Sequence, residues 1–185
     1  MFEQLREKYQ EHADRLEASY IKSNELGLSP SYLPYKEFDK SILENLYQIV
    51  DMANPLLNYD HVPGACLYAH SELKKAFALY GYHSELVFGD VLVNGVPYMD
   101  CDIADLESQL SEGITNKAQK VHCWLLLDSG LFFDATLIRD VIGGEHAGES
   151  IGFGFSLYDE GIVFEHKAML VGEEFIRRTN PLVYK

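Results

Sequence analysis

The sequence predicts an α+β fold in which N-terminal helices pack on an antiparallel β-sheet. Up to Gly81, apolar residues recur at three- and four-residue steps, which is the spacing of amphipathic helices. After Gly81 the pattern changes to short apolar runs separated by turn residues, which is typical of antiparallel hairpins. The 185 residues, 47% of them hydrophobic, suit a single domain with a substantial core.

Three helices are predicted before Gly81. The first covers residues 2–26, and the second follows the connector LSPSYLP and ends before Asn54-Pro55, because a residue that precedes proline disfavours helical backbone. The third begins near Cys66 and stops at Gly81, a residue that readily adopts the left-handed conformation after a helix. Cys66 is therefore expected at or near a helix N-terminus.

Two hairpins and a C-terminal strand pair make up the predicted sheet. Asn94-Gly95 is the strongest short hairpin signal, and a DSG turn joins the two apolar arms of VHCWLLLDSGLFFDAT, residues 121–136. ADLESQL predicts a short helix between them, GFGFSLY and IVFEHKAMLV predict the last strands, and EEFIRR predicts a terminal helix. We divide the single domain into a helical part (1–58), a core (59–140) and a C-terminal part (141–185).

Composition restricts the partners and the compartment. The net charge of −14 argues against binding to nucleic acid or to an anionic membrane surface, since both attract clusters of Lys and Arg. No apolar run approaches the ~18 residues of a membrane span, and the charged, periodic start does not resemble a signal peptide. Three cysteines without a CxxC pair suit a reducing compartment, so the sequence predicts a cytoplasmic protein. The oligomeric state stays open.

The second hairpin carries an imidazole and a carboxylate among apolar residues. Because the DSG turn folds its arms together, His122 and Asp134 can approach each other. A helix N-terminus favours a thiolate at Cys66, an imidazole can take and return the thiol proton, and a carboxylate can fix the tautomer of that imidazole. The sequence therefore predicts a catalytic triad of Cys66, His122 and Asp134.

At these residues the chain resembles the transglutaminase-like superfamily of papain-type thiol enzymes. The matching stretches are Gly64-Ala65-Cys66, His122-Cys123-Trp124 and Asp134-Ala135-Thr136, in the family's order of Cys, His and Asp. The resemblance covers roughly residues 60–137 and departs from the common Cys-Trp pair, because Leu67 follows Cys66. It implies a papain- or transglutaminase-like core with the nucleophile at a helix N-terminus.

Other residues are candidates for substrate binding or for metal. Besides the backbone N–H of Cys66, the oxyanion donor is left open among Asn58, Tyr59 and His61, while Trp124 either lines the active site or fills the core. His61, Cys66 and His70 do not complete a tetrahedral zinc set, so no metal and no cofactor are predicted. Four aspartates form a candidate cation site by charge alone, without EF-hand spacing; they are Asp90, Asp100, Asp102 and Asp105.

The expected function is cysteine-dependent acyl transfer through a thioester. The substrate would be a peptide, a protein or a small acyl compound, and the sequence does not choose between water and an amine as the acceptor. The alternative is a binding or structural module that keeps the fold without turnover. Burial of Cys66, or a His122 ring that faces away from it, would favour that alternative.

Overall fold

The computed structural model describes residues 1–57, 65–115, 117–142, 152–153, 156–159 and 162–180. The fold is α+β with an antiparallel sheet, as the sequence predicts. Its helices are α1 (Phe2–Lys8), α2 (Gln10–Glu25), α3 (Lys40–Leu57), α4 (Ala65–Leu79), α5 (Ile103–Glu112), α6 (Leu137–Ile142) and α7 (Glu174–Thr179). Its strands are β1 (Ser84–Val93), β2 (Val96–Pro97), β3 (His122–Leu127), β4 (Phe132–Asp134), β5 (Gly152–Phe153), β6 (Ser156–Asp159) and β7 (Ile162–Val171).

The predicted first helix is two helices. Tyr9 leaves the helical conformation, with φ −146° and ψ 67°, and separates α1 from α2. The break turns α1 back along α2, where Arg6 pairs with Asp14 at 2.7 Å and also with Glu17. Leu5 of α1 can then join the same apolar cluster as the residues of α2, which one straight helix would not allow.

The ends of the next two helices differ in how well they are predicted. α3 continues to Leu57, so the expectation that it ends before Asn54-Pro55 is wrong. A proline in the last turn removes a single intrahelical hydrogen bond, which a helix of 18 residues tolerates. α4 starts one residue before Cys66, and Gly81 follows it with φ 82°, as predicted.

The sheet has β1 at its centre and runs in the order β5-β4-β3-β1-β7-β6, with β2 paired to β1. The predicted turns are confirmed, since Asn94 and Gly95 have φ of 50° and 81° and the DSG turn joins β3 to β4. The pairing of β1 with β7 contains a register shift between Phe88 and Gly89. A Cβ at Gly89 would lie 2.0 Å from the carbonyl oxygen of Lys167, so only glycine fits there.

The sheet curls strongly. Its two edge strands, β5 and β6, are separated along the chain by residues 154 and 155 alone, so Phe153 and Ser156 lie at most about 11 Å apart. Six strands in a flat sheet would place their outer members about 24 Å apart, at ~4.8 Å per step. The two edges of the sheet therefore come close together, and the side chains of His166 and Asp134, which lie three strands apart, meet on one face.

Helices cover both faces. α1 and α2 pack with Trp124 and Phe164 on the face that also carries His122, whereas α3, α4, α5 and α7 pack on the opposite face with Cys123 and Phe133. None of the helices in the described ranges has the length and apolarity needed to cross a bilayer.

Candidate functional site

The second hairpin brings His122 and Asp134 together. Leu125 pairs with Phe133 and Leu126 with Phe132, a register that puts Asp134 diagonal to His122 on the same face. The Nε2 of His122 lies 2.7 Å from the Oδ2 of Asp134. Both side chains are about 1% exposed, so the pair is shielded from water.

Asp134 accepts hydrogen bonds on both carboxylate oxygens. Its Oδ1 accepts from the backbone N–H of Thr136 at 3.0 Å and of Leu137 at 3.1 Å, in the turn that opens α6. Its Oδ2 accepts from His122 and, at 2.9 Å, from the Nε2 of His166 in β7. An ionised carboxylate only accepts, so both histidines carry their proton on Nε2.

These contacts give the two groups opposite charges. Burial by itself raises the pKa of Asp134, but the charge and hydrogen bond of His122 and the hydrogen bond of His166 outweigh it and lower that pKa well below its ordinary value. Burial likewise lowers the pKa of His122, but Asp134 and, to a smaller extent, Cys66 raise it well above 6.5. His122 and Asp134 therefore form a buried imidazolium–carboxylate pair.

Cys66 belongs to the apolar cluster on the opposite face of the sheet and approaches His122 at the start of β3. It is the second residue of α4, it is 4% exposed, and its Sγ is 3.9 Å from the carbonyl oxygen of Val121. Cys66 raises the pKa of His122. Because Asp134 already binds Nε2, Nδ1 is the ring nitrogen that is left to face Cys66. No hydrogen bond joins Cys66 to His122 among the described residues, and the buried Nδ1 of His122 has no partner there.

His70 is a structural histidine. Its Nε2 accepts from the backbone N–H of Ala135 at 3.0 Å, so the proton is on Nδ1, which donates to the carbonyl oxygen of Cys66 at 2.9 Å. Burial lowers its pKa to about 4. The distance of 3.7 Å between His70 Nε2 and Asp134 Oδ1 is therefore not an ion pair at neutral pH.

The remaining predicted site residues fall into two groups. Trp124 shares the face of His122 and packs against it with ring centroids 5.8 Å apart, but it is fully buried and forms part of the core. Asn58, Tyr59 and His61 lie outside the described residues.

Three aspartates of the candidate cation site, Asp90, Asp102 and Asp105, hold backbone groups in place. Asp90 is 3% exposed and accepts from the backbone N–H groups of Val91 and Met99 at 2.8 Å. Asp102 caps α5 in a reciprocal capping box with Asp105. These carboxylates fix the loop before α5 and the start of that helix.

His122, Asp134 and His166 also form a possible metal donor set. One ligand atom from each lies within 4.8 Å of the others. Metal-bound histidines usually donate their second N–H to an outer partner, yet the Nδ1 atoms of His122 and His166 have none among the described residues. The separations of 2.7 and 2.9 Å are those of charge-assisted hydrogen bonds.

A pocket of about 300 Å³ reaches this cluster from the side of α1 and α2. We call it the α2–β7 pocket; it is lined by Tyr9, Gln10, Glu11, His12, Arg15, Glu165 and His166. His166 connects the pocket to Asp134, while Cys66 lies outside its lining.

Comparison with family models, with curated proteins and with solved structures gives no match.

Sequence patterns missed His166. Buried and less buried residues alternate along β7, and this alternation puts His166 on the same face as Phe164 and Ala168. A histidine between two apolar residues of a buried face is the signal that could have identified it. Its partner on β4 lies three strands away in the sheet order, and no local pattern encodes that neighbour.

Proposed function

We propose that the chain is a cysteine-dependent acyl-transfer enzyme with a papain- or transglutaminase-like core. Cys66 is the nucleophile, His122 moves the proton, and Asp134 orients and charges His122. The orientation of the His122 ring carries the proposal. Its Nε2 is held by Asp134 at 2.7 Å, so its Nδ1 is left for the thiol at the start of α4.

Each group has one task in the reaction. The thiolate of Cys66 attacks an acyl carbon, the C–S bond forms, and the leaving group departs with the proton from Nδ1 of His122. Water or an amine then attacks the thioester and gives its proton to Nδ1, which frees the thiolate. The backbone N–H of Cys66, in the first turn of α4, can donate to the oxyanion.

The alternative is a binding or structural module without turnover. It is favoured by the burial of Cys66, which is 4% exposed. On the enzyme proposal, the thiol must become accessible through an opening of the structure, so its rates include the equilibrium constant of that opening.

Covalent trapping tests the proposal. A panel of aryl esters, thioesters and peptide amides is mixed with the protein, and the acylated residue is located by mass spectrometry. We expect an acyl group on Cys66, fastest with the aryl esters and thioesters because their leaving groups need little protonation. A variant with both Cys101→Ser and Cys123→Ser should retain the acylation, and Cys66→Ser should abolish it.

Three outcomes would contradict the proposal. Acylation that persists in Cys66→Ser would move the nucleophile elsewhere. Absence of acylation across the whole panel would favour the module without turnover. A stoichiometric metal in the purified protein that is lost in His166→Gln would make Asp134 a metal ligand instead.

A further inference from the structure

His166 and His122 donate to the same oxygen atom. The Nε2 atoms of the two rings lie 2.9 and 2.7 Å from Oδ2 of Asp134, while Oδ1 is occupied by N–H donors of residues 136 and 137. The carboxylate is thus held on both oxygens, and its direction toward His122 depends on His166 as well as on its own turn.

This contact spans the curled sheet. β1 and β3 lie between β7, which carries His166, and β4, which carries Asp134. The ring of His166 spans this distance on the face that also carries His122, and the absence of a side chain at Gly89 lets β1 and β7 lie close together.

Packing alone does not account for a histidine at this position. The ring of His166 lies against those of Trp124 and Phe132, with centroids 4.8 and 5.8 Å away, and its Nδ1 is buried without a hydrogen-bond partner among the described residues. An apolar side chain would fill the same space without leaving a polar atom unsatisfied. The property that distinguishes His166 from such a side chain is the N–H directed at Asp134.

We propose that His166 is a positioning residue, which acts through Asp134 by donating its Nε2–H and so keeps the carboxylate ionised and aimed at His122. The inference rests on the proposed function and adds a fourth residue to the triad. Burial lowers the pKa of His166 despite the hydrogen bond to Asp134, so the ring is neutral and adds no charge that would compete with His122.

Two amide variants separate this role from a structural one. The amide of His166→Gln reaches the position of Nε2 and can still donate to Asp134. The amide of His166→Asn is one carbon shorter and reaches only the position of Nδ1. Both variants remove the ring, and both introduce a polar group of similar chemistry, so they differ mainly in the hydrogen bond in question.

The readout is the rate of Cys66 alkylation by iodoacetamide as a function of pH, resolved by peptide mass spectrometry. At pH 6, His166→Asn should be slower than the natural protein by roughly tenfold or more, the effect of losing one hydrogen bond to a charged group. The pH at which the alkylation rate rises should move toward the ~8.5 of an ordinary thiol. His166→Gln should keep the natural profile within about threefold. His166→Phe is a further variant without a donor and should behave like His166→Asn.

The outcomes are distinct. A natural profile in His166→Asn and His166→Phe would overturn the positioning role while leaving the triad intact. Equal losses in His166→Gln and His166→Asn would overturn it as well, because the donated N–H would then not be the property that matters. If the natural protein itself shows only the profile of an ordinary thiol, the proposed function fails, and the role of His166 fails with it.

Discussion

Asp134 is the residue on which the buried polar groups of this protein depend. It is 1% exposed, and it is kept ionised by donors from its own turn and from strands on two sides. Sequence reasoning identified the pair of His122 and Asp134, because a short hairpin fixes which residues can meet. It considered His70 only in an incomplete zinc set and did not predict its structural role, since the acceptor role of its Nε2 depends on the backbone of Ala135.

The burial of His70 makes the free energy of unfolding depend on pH. Its pKa is about 4 in the folded protein and near 6.5 in an exposed ring, so the unfolded chain binds this proton first as the pH falls. The free energy of unfolding should therefore decrease between pH ~6.5 and ~4, by up to roughly 3 kcal/mol from His70 alone. His70→Gln keeps an acceptor for Ala135 and does not titrate, so it should show a shallower decrease in urea unfolding.

An exposed histidine supplies the control. His83 lies on the surface, and His83→Gln makes the same substitution away from the buried groups, so it is the matched control. His70 interacts with Asp134 and His122, so the informative quantity is the difference in pH dependence between His70→Gln and the natural protein, set beside the same difference for His83→Gln. A natural protein and a His70→Gln variant that lose stability in parallel between pH 7 and pH 4.5 would contradict the buried, neutral assignment.

At the scale of elements, short sequence motifs predicted the structure correctly where a turn residue or a helix-stop residue fixes the backbone. The turn at Asn94-Gly95 and the helix stop at Gly81 are examples, and both have positive φ. Signals were insufficient at Tyr9, where the helical pattern continues across the break because α1 and α2 bury apolar residues in the same cluster. The break is decided by packing against the sheet rather than by local preference.

Gly89 links element packing to the site. The Cβ of Gly89→Ala would lie 2.0 Å from the carbonyl oxygen of Lys167 and 3.2 Å from Trp124, so β1 and β7 would have to separate. We expect a loss of about 3 kcal/mol or more in the free energy of unfolding. Because β7 carries His166, the variant should also lose Cys66 alkylation at pH 6.

Gly95→Ala is the comparison. It places a Cβ in open space at φ 81°, so its cost should be only about 1–2 kcal/mol of backbone strain, and alkylation at pH 6 should stay unchanged. Chemical denaturation of both variants measures the difference. Equal costs for the two substitutions would show that β7 does not approach β1 as closely as described.

At the scale of the whole molecule, the curvature of the sheet brings residues of distant strands together at one site. Residues from β3, β4 and β7 surround one carboxylate, and the start of α4 lies beside Val121, immediately before β3. The sequence predicted the fold class and the strand faces, because periodicity reports which side of a strand is buried. It did not predict that β7 pairs with β1, since pairing between distant strands depends on long-range packing that no short motif encodes.

The central claim is that Cys66 and His122 form a reactive pair, and the pH dependence of Cys66 alkylation tests it most directly. Above pH ~6.5 His70 is neutral in the closed and the open protein, so its titration does not change the opening there, and the pH at which the rate rises is informative even if the rate is low. In the natural protein we expect Cys66 to react below pH ~7, well before the ~8.5 of an ordinary thiol. His122→Gln keeps an amide donor for Asp134 but has no group at the position of Nδ1. In this variant the alkylation rate of Cys66 should therefore rise only near pH ~8.5. A rate that rises only near pH ~8.5 in the natural protein, or a rise at lower pH that survives in His122→Gln, would contradict the pair.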